Sequence, residues 1–332
     1  MINVIKYRKI PLITSGLLVL GSIVVLAMFG LKLGIDFTGG SLIEVSFTET
    51  RPGTTEVSNA LAPLNLGNIV VQPLEDKSMI LKMRYVSEEE HQAVLSALRN
   101  SFEATSAEEG VVGFGFDSSG NFFEEAEEVT EGETSVVSGN KVYEERIETI
   151  GASLSSELRG HAIKAGLIVL LAIILYVAYS FRHVSEPVES WKYGVTAVIA
   201  LTHDVLITMG VFALLGRFVA VEVDIPFVVA LMTILGYSVN DTIVVFDRIR
   251  ENLMKRGTAH FEETVNMGLN QTFMRSLNTS LTTILVLVVI FFFGGDSVHY
   301  FSLALIIGIF FGTYSSIFLA SPLLVVWQKL KK

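Results

Sequence analysis

The sequence contains no cysteine, and only 17% of its 332 residues are charged. Without cysteine, neither a disulfide bridge nor a thiolate metal site can form. The His-Glu-x-x-His pattern of zinc hydrolases is also missing. "DSSGN" (117–121) does not continue with the ligand spacing of a calcium loop. We therefore expect no cofactor and no metal.

Apolar residues, in contrast, are abundant. They make up 51% of the chain, and the mean hydropathy is +0.55. Apolar runs of about 18 residues or more predict membrane-spanning helices. Six such runs are present: Pro11–Leu31, Ile163–Phe181, Tyr193–Leu215, Ile225–Phe246, Phe273–Phe293 and Tyr300–Trp327. The sequence therefore predicts a multi-pass membrane protein.

The distribution of basic residues predicts the orientation of the spans. Outside residues 34–160 there are 16 lysines and arginines, and 13 of them flank the same side of the predicted spans. The positive-inside rule places that side, with both termini, in the cytoplasm. The first run is longer than the apolar part of a secretory signal, so we interpret it as an uncleaved anchor. The predicted location is a membrane, with both termini in the cytoplasm.

Residues 34–160 then form an exported domain. This segment has 8 basic and 23 acidic residues, a net charge of −15, so nucleic acid is not an expected partner. The predicted organisation has four parts. They are a cytoplasmic N-terminus with the first span (1–33), the exported domain (34–160, with an acidic insertion at 104–139), a five-helix bundle (161–327) and a basic tail (328–332).

The exported segment predicts an α+β domain. Alternating β-formers predict strands, and apolar residues at helical spacing after Thr54 and Ser87 predict two helices. Ser87 and Glu90 have the spacing of a capping box. In order, the elements are a strand (41–49), a helix (54–64), a hairpin around Asp76-Lys77, a helix (87–102) and a strand (140–151). This is the βαββαβ order of ferredoxin-like folds.

The predicted spans contain Asp204, Asp241 and Arg275, and a charge inside a span needs a partner or a wet cavity. Asp204 lies at the middle of the third span, beside His203. Asp241 lies near the cytoplasmic end of the fourth span, and Arg275 lies in the first turns of the fifth. Because these two spans are antiparallel, Asp241 and Arg275 are at similar depth. We therefore predict that Arg275 is the partner of Asp241.

Hydroxyl residues accompany these charges. One predicted face of the fifth span carries a stripe at helical spacing: Arg275, Thr279, Thr282 and Thr283. Ser238 lies three residues before Asp241, on the same face of the fourth span. Two interpretations of the Asp241–Arg275 pair remain: a proton site, or a static ion pair that holds two helices together. Asp204 is likewise either a proton site or a bond across a helix interface.

Four segments, in this order, resemble the SecF family of protein-export membrane proteins. They are "GIDFTGG" (34–40), "ALTHDVLITMGVFAL" (200–214), "TILGYSVNDTIVVFDRIREN" (233–252) and "RSLNTSLTT" (275–283). The family belongs to the proton-driven superfamily of resistance–nodulation–division transporters. The resemblance covers both ends of the exported domain and all six spans. "GASLSSEL" (151–158) departs from it, with Ser155 and Ser156 where a further glycine is usual, and the insertion is longer than in most members.

The resemblance implies a role in protein export and no enzymatic activity. It also implies a location in a bacterial-type plasma membrane. SecF-like proteins act with a SecD-like membrane subunit. They use protons to pull unfolded exported polypeptides outward through a SecY-type channel. Carried over by motif, Asp241 would be the proton-carrying group and Arg275 its basic partner, and Asp204, Thr279 and Ser238 would line the same pathway.

The same resemblance assigns the segment after the first span to a family motif. Gly34, Asp36, Gly39 and Gly40 would form a hinge or packing corner that joins this span to the exported domain. Glycine permits backbone angles that other residues resist. A plain exit turn is the alternative.

Two other functions remain as alternatives. An intramembrane aspartyl hydrolase could use Asp204 and Asp241. However, neither lies in a Gly-x-Gly-Asp motif, and Arg275 would oppose the shared proton that such a pair needs. A subunit of a small-molecule efflux transporter of the same superfamily is the second possibility. Such transporters have two related halves, so a chain with one half needs a partner.

Overall fold

The computed structural model describes residues 3–74, 76–103, 115–116, 122–123, 140–180, 189–257 and 260–329. The chain divides into two compact units, one of Met1–Phe37 with Ser156–Lys332 and one of Thr38–Ser155. Most of the predicted insertion (104–139) and the end of the basic tail (330–332) lie outside the described residues.

The described helices are α1 (Lys9–Phe29), α2 (Ile35–Thr38), α3 (Thr54–Leu61), α4 (Glu88–Phe102), α5 (Ala152–Ser180), α6 (Ser190–Phe218), α7 (Ile225–Arg256), α8 (Phe261–Phe293), α9 (Asp296–Ser315) and α10 (Ser321–Lys329). The described strands are β1 (Gly40–Phe47), β2 (Val70–Pro73), β3 (Ser78–Met83), β4 (Gly115–Phe116), β5 (Phe122–Phe123) and β6 (Val142–Ile150). A 3₁₀ turn covers Ala62–Leu64, and a π-helical segment, Ser316–Ala320, joins α9 to α10.

Among the described residues, six helices are long and apolar enough to cross a membrane, which confirms the six predicted spans. The longest, α8, has 33 residues. At about 1.5 Å per residue it is about 50 Å long, so it extends beyond a hydrocarbon core of about 30 Å. It starts at Phe261 rather than at the predicted Phe273, because buried side chains such as Val265 and Leu269 continue its packed face.

Small residues bring the membrane helices close together. A Cβ atom at Gly268 of α8 would lie 2.8 Å from Ile249 Cγ1 of α7. A Cβ atom at Gly312 of α9 would lie 3.0 Å from Ser238 Cβ, also of α7. Helices in lipid gain little from burying apolar area against each other, so close backbone contact and interhelical hydrogen bonds hold them.

The last span is interrupted by the π-helical segment, and Pro322 gives the reason. Proline has no backbone N–H, and in a regular α-helix its ring would clash with the carbonyl of Phe318, four residues earlier. The wider π turn relieves that clash. Ser321 Oγ donates a hydrogen bond to the carbonyl of Ser316 at 3.2 Å, which satisfies one of the displaced acceptors.

The second unit is an antiparallel sheet covered by two helices. The strand order is β2-β3-β1-β6, with Ile43 opposite Leu81 on one side and Ile147 on the other. Strand residues such as Val45 and Met79 pack against helix residues such as Val57 and Val94. The predicted ferredoxin-like order is confirmed.

The start of α4 shows why the sequence pattern was informative. Ser87 Oγ accepts a hydrogen bond from Glu90 N at 3.3 Å, and Glu90 Oε2 accepts one from Ser87 N at 3.0 Å. This is the predicted capping box, which satisfies two backbone N–H groups at once. Within the insertion, Gly115 pairs with Phe123 and Phe116 with Phe122 in a two-stranded antiparallel sheet.

Candidate functional site

Asp204 lies within the membrane unit and is fully buried on α6. Its Oδ2 accepts hydrogen bonds from Ser238 Oγ of α7 at 2.6 Å and from Ser315 Oγ of α9 at 2.8 Å. Its Oδ1 lies 2.9 Å from Nδ1 of His203. Three helices therefore meet at this one carboxyl group.

His203 shares the buried position of its neighbour. Its ring stacks on that of Tyr314, with centroids 6.2 Å apart. Its Nε2 atom is buried and has no hydrogen-bond partner among the described residues. A neutral imidazole that donates from Nδ1 to Asp204 leaves only an acceptor unpaired. The geometry therefore fits a histidine that donates from Nδ1 to the Asp204 carboxyl group.

Asp241 occupies a separate, partly buried position on α7. Ser276 Oγ of α8 donates to its Oδ1 at 2.5 Å, and Ser316 Oγ donates to its Oδ2. Among the described hydrogen bonds, the two aspartates share no partner. Each is held by hydroxyl groups from two other helical elements.

The predicted ion pair between Asp241 and Arg275 does not form within the chain. Arg275 is exposed, and none of its nitrogen atoms lies within 4.0 Å of the Asp241 carboxylate. It acts on Asp241 only as a more distant positive charge. The reason is geometric: Ser276, the next residue, points to Asp241, and Arg275 is about 100° further around the helix.

The predicted polar stripe of α8 also faces outward. Thr279 and Thr282 are exposed, and their hydroxyl groups bond to carbonyls of α8 itself. The buried stripe has a different set of residues at i, i+4 and i+8: Thr272, Ser276 and Ser280. Ser280 Oγ bonds to Thr313 Oγ1 of α9 and accepts from Tyr237 Oη at 3.2 Å.

Sequence spacing predicts that Ser238 lies beside Asp241, but Ser238 bonds to Asp204 instead. Sequence reasoning also missed Ser276, Ser315 and Ser316. The signal that could have indicated the last two is the hydroxyl-rich "TYSS" (313–316) in an apolar span, shortly before Pro322. Isolated serines in membrane helices are otherwise common at packing contacts.

The segment after the first span is tied to the start of α7. Asp36 Oδ2 accepts a hydrogen bond from Ile225 N at 2.8 Å, and Gly34 N donates to the carbonyl of Val223 at 2.8 Å. Gly39 and Gly40 have φ values of +74° and +138°, which favour glycine. Asp36 is therefore a cap for a second helix, a role that the sequence motif did not indicate.

The described residues contain no group of three or more His, Cys, Asp or Glu side chains that could hold a metal ion. The site is instead a set of carboxyl and hydroxyl groups, which can hold and pass protons.

Two family models match the sequence. One is described as "Protein export membrane protein SecD/SecF, C-terminal" and covers residues 131–330, and the other is the "SecD/SecF GG Motif", covering residues 24–50. The chain belongs to the SecD/SecF family. The second match contains the segment after the first span, with Asp36, Gly39 and Gly40.

Full-length relatives agree. The chain is 39% identical over 329 residues to the protein translocase subunit SecF of Thermobaculum terrenum, with 99% of this chain and 94% of that protein covered. It is 37% identical over 341 residues to SecF of Synechocystis, with 99% and 95% covered. The predicted role in protein export is thereby confirmed. Neither relative is an efflux transporter or a hydrolase.

Solved structures show the same fold. The crystal structure of SecDF, a translocon-associated membrane protein from Thermus thermophilus, matches with a TM-score of 0.77 at 30% identity. A SecDF structure in a "super-membrane-facing form" matches with a TM-score of 0.63 at 31% identity. Both matches cover 99% of this chain but only 39% of the solved chain.

Proposed function

We propose that this chain acts with a SecD-like membrane subunit and uses the proton gradient to complete the export of unfolded polypeptides through a SecY-type channel. In this proposal Asp241 carries the proton, Asp204 is a second carboxyl group of the pathway, and Arg275 is the basic partner of Asp241. The observation that carries the proposal is that hydroxyl groups, and no cation among the described residues, bond directly to Asp241.

Hydroxyl ligands suit a group that gains and loses a proton. A serine hydroxyl can donate to an ionised carboxylate and can accept from a protonated one. An arginine in direct contact would instead hold the carboxyl group in its charged form. The arrangement of Ser276 and Ser316 therefore favours a titrating site over a static ion pair.

The gradient can supply enough free energy to move helices. One charge that crosses about 100 mV releases about 2.3 kcal/mol. A difference of that size changes the ratio of two helix arrangements by about fiftyfold. Binding and release of one proton at Asp241 are therefore sufficient to bias the packing of α7 against α8 and α9.

The exposed polar face of α8 favours the presence of a second membrane subunit. Arg275, Asn278, Thr279 and Thr282 are exposed on this helix. An arginine at the middle of a lipid-facing helix costs about 2.5–3.5 kcal/mol, so polar residues of spans usually face protein or water. A SecD-like subunit that covers this face would shield Arg275 and bring carboxyl groups of its own towards it.

The hydrolase alternative gains no support from the geometry. Asp204 and Asp241 bond to different serines, and the described hydrogen bonds include none between the two carboxyl groups. An aspartyl hydrolase needs two carboxyl groups that share one proton.

The exported location of the α+β unit, with both termini cytoplasmic, is part of the same proposal. It is supported by basic residues at the α7–α8 connection, including Lys255 and Arg256, and by the acidic exported segment. The turn at Gly39-Gly40 and the return at Gly151 would let the exported unit move.

Preprotein translocation into inverted membrane vesicles tests this function. Wild-type vesicles should translocate faster when a proton gradient is present, and Asp241→Asn vesicles should lose that acceleration while keeping a normal amount of folded protein. Thr233→Ala, which removes an exposed hydroxyl group of α7 whose described hydrogen bond is to the carbonyl of Val229 in the same helix, serves as the control and should keep the acceleration. A stable Asp241→Asn protein with full gradient-dependent acceleration would exclude Asp241 as the proton carrier.

A further inference from the structure

One helix supplies ligands to both carboxyl groups. Ser315 ends α9 and bonds to Asp204 on α6, and Ser316 begins the π-helical segment and bonds to Asp241 on α7. The residues that bond to the two carboxyl groups are therefore adjacent in the chain. The described hydrogen bonds include no single residue that bonds to both carboxyl groups.

Each of these serines has a second acceptor within its own helix. Ser315 Oγ lies 3.1 Å from the carbonyl of Gly312, and Ser316 Oγ lies 3.0 Å from the carbonyl of Thr313. A hydroxyl group has one proton to donate, so it bonds either to the carboxylate or to the carbonyl. Protonation of an aspartate removes the stronger, charged acceptor and favours the carbonyl.

The backbone at the start of the π-helical segment can change conformation when a serine hydroxyl group changes its partner. Pro322 prevents a regular α-helical turn, and the π segment holds its carbonyls through unusual partners such as Ser321 Oγ. Single π turns inside α-helices occur frequently at functional sites. A change of hydroxyl partner at Ser316 therefore alters the turn from which Ser315 also projects.

We propose that Ser315 and Ser316 are positioning residues that couple the protonation of Asp204 to that of Asp241 through the backbone at the start of the π segment. This inference rests on the proposed function. When Asp241 takes up a proton, Ser316 turns to the carbonyl of Thr313, the turn adjusts, and the bond from Ser315 to Asp204 changes in strength. The reverse sequence follows when Asp241 releases its proton.

Other ionisable groups also face these two sites. His203 lies beside Asp204 on α6, and Arg275 acts on Asp241 from α8. Direct charge–charge interaction between Asp204 and Asp241 is a second route for coupling. The test must separate that route from transmission through the π segment.

Two serine variants make this separation. Ser315→Ala and Ser238→Ala each remove one hydroxyl donor from the same oxygen of Asp204, and the described hydrogen bonds join neither residue to Asp241. Only Ser315 adjoins the π segment. If the two aspartates are coupled by direct charge interaction, both variants should shift the titration midpoint of Asp241 equally. If they are coupled through the π segment, only Ser315→Ala should shift it.

The measurement is an infrared pH titration of the carboxyl C=O band of Asp241, identified by its loss in Asp241→Asn. The full-length chain, co-purified with its membrane partner, is placed in lipid nanodiscs. We expect Ser315→Ala to move the midpoint of the Asp241 band by about half a pH unit or more, about a threefold change in proton affinity, as for coupled neighbours. Ser238→Ala should leave it unchanged.

Ser315→Cys, which keeps the size and a weak donor, should give a smaller shift than Ser315→Ala and protects the test against a folding defect. Equal shifts in Ser315→Ala and Ser238→Ala, or no shift in either, would overturn the coupling role of the serines while leaving Asp241 as a titrating site. An Asp241 band that does not titrate in the wild-type protein would overturn the proposed function as well.

Discussion

Ser315 and Ser316 are consecutive residues, yet their hydroxyl groups bond to aspartates on two different helices, Asp204 on α6 and Asp241 on α7. Consecutive side chains of a helix project about 100° apart, so a helix that lies between two others can contact both. The junction between α9 and the π-helical segment therefore contacts both carboxyl groups of the candidate site.

The position of Arg275 leads to the first prediction. Because Arg275 is exposed within this chain, Arg275→Gln should leave the thermal stability of the purified chain in detergent almost unchanged. It should reduce gradient-dependent export, since the proposed basic partner of Asp241 is lost. Melting temperature and translocation rate are measured on the same variant. A large fall in melting temperature would indicate that Arg275 stabilises this chain directly.

The two polar stripes of α8 show what the sequence could predict and what it could not. Arg275 and Thr279 form one stripe, and Ser276 and Ser280 form the other, one residue later in each case. In a water-soluble helix, polarity would mark the exposed face. In lipid, a polar stripe can face the bundle or a partner subunit, so both stripes are equally plausible partners for Asp241.

The exported unit was easier to predict. Its strands alternate, and the Ser87–Glu90 box marks the start of α4 by local chemistry alone. The contacts of Ser315 and Asp36 could not be predicted, because they join residues 111 and 189 positions apart. No local pattern encodes such pairs.

Close packing of α8 on α7 gives the second prediction. Gly268→Ala places a methyl group 2.8 Å from Ile249 Cγ1 and 3.2 Å from its Cα, so the helices must separate. Overpacking of this kind costs about 1–3 kcal/mol. Gly236→Ala on α7 is the control, because nothing lies within 4 Å of its added methyl group. It should be neutral or stabilise by up to about 1 kcal/mol. Thermal unfolding in detergent compares them, and equal melting temperatures would contradict the packing.

The third prediction concerns pH and the exported unit. The hydrogen bond from Arg84, at 2.5 Å, and the backbone N–H of Ser87 hold the pKa of Glu90 below its usual value. A lowered folded-state pKa adds stability that is full above the unfolded value of about 4.3 and is lost as pH falls through the lower folded value. We expect residues 38–155 to fold alone. At pH 7 the wild-type unit should be more stable than its Glu90→Gln variant.

That difference should shrink as the pH falls below about 4. Denaturant unfolding followed by circular dichroism at both pH values measures it. Glu89→Gln, an exposed neighbour in the same first turn of α4, is the matched control and should follow the wild type more closely. A Glu90→Gln deficit that persists unchanged in acid would show that packing, not charge, explains the loss.

Orientation is the fourth prediction, and the absence of cysteine makes it simple to test. Single cysteines at Asn100 of the exported unit and at Met254 near the end of α7, which is 82% exposed, should be labelled from opposite sides of intact cells. An impermeant maleimide should reach only the first. Labelling of both residues in intact cells would contradict the proposed topology.

The last prediction separates a cap from a plain exit turn at Asp36. Its carboxylate accepts the Ile225 N–H at the start of α7, and Asp224 caps the same helix through Phe227 N at 3.0 Å. Asp36→Ala leaves the Ile225 N–H without its acceptor and should cost about 1–3 kcal/mol. Asp36→Asn keeps an acceptor and should cost less. Asp224→Ala, which removes an ordinary N-cap, should cost about 1 kcal/mol and provides the scale.

A plain exit turn predicts no loss of melting temperature for Asp36→Ala. A cap that also positions α7 predicts a loss of gradient-dependent export in Asp36→Ala beyond that of Asp224→Ala, because Asp36, unlike Asp224, joins this helix to the segment that leads into the exported unit.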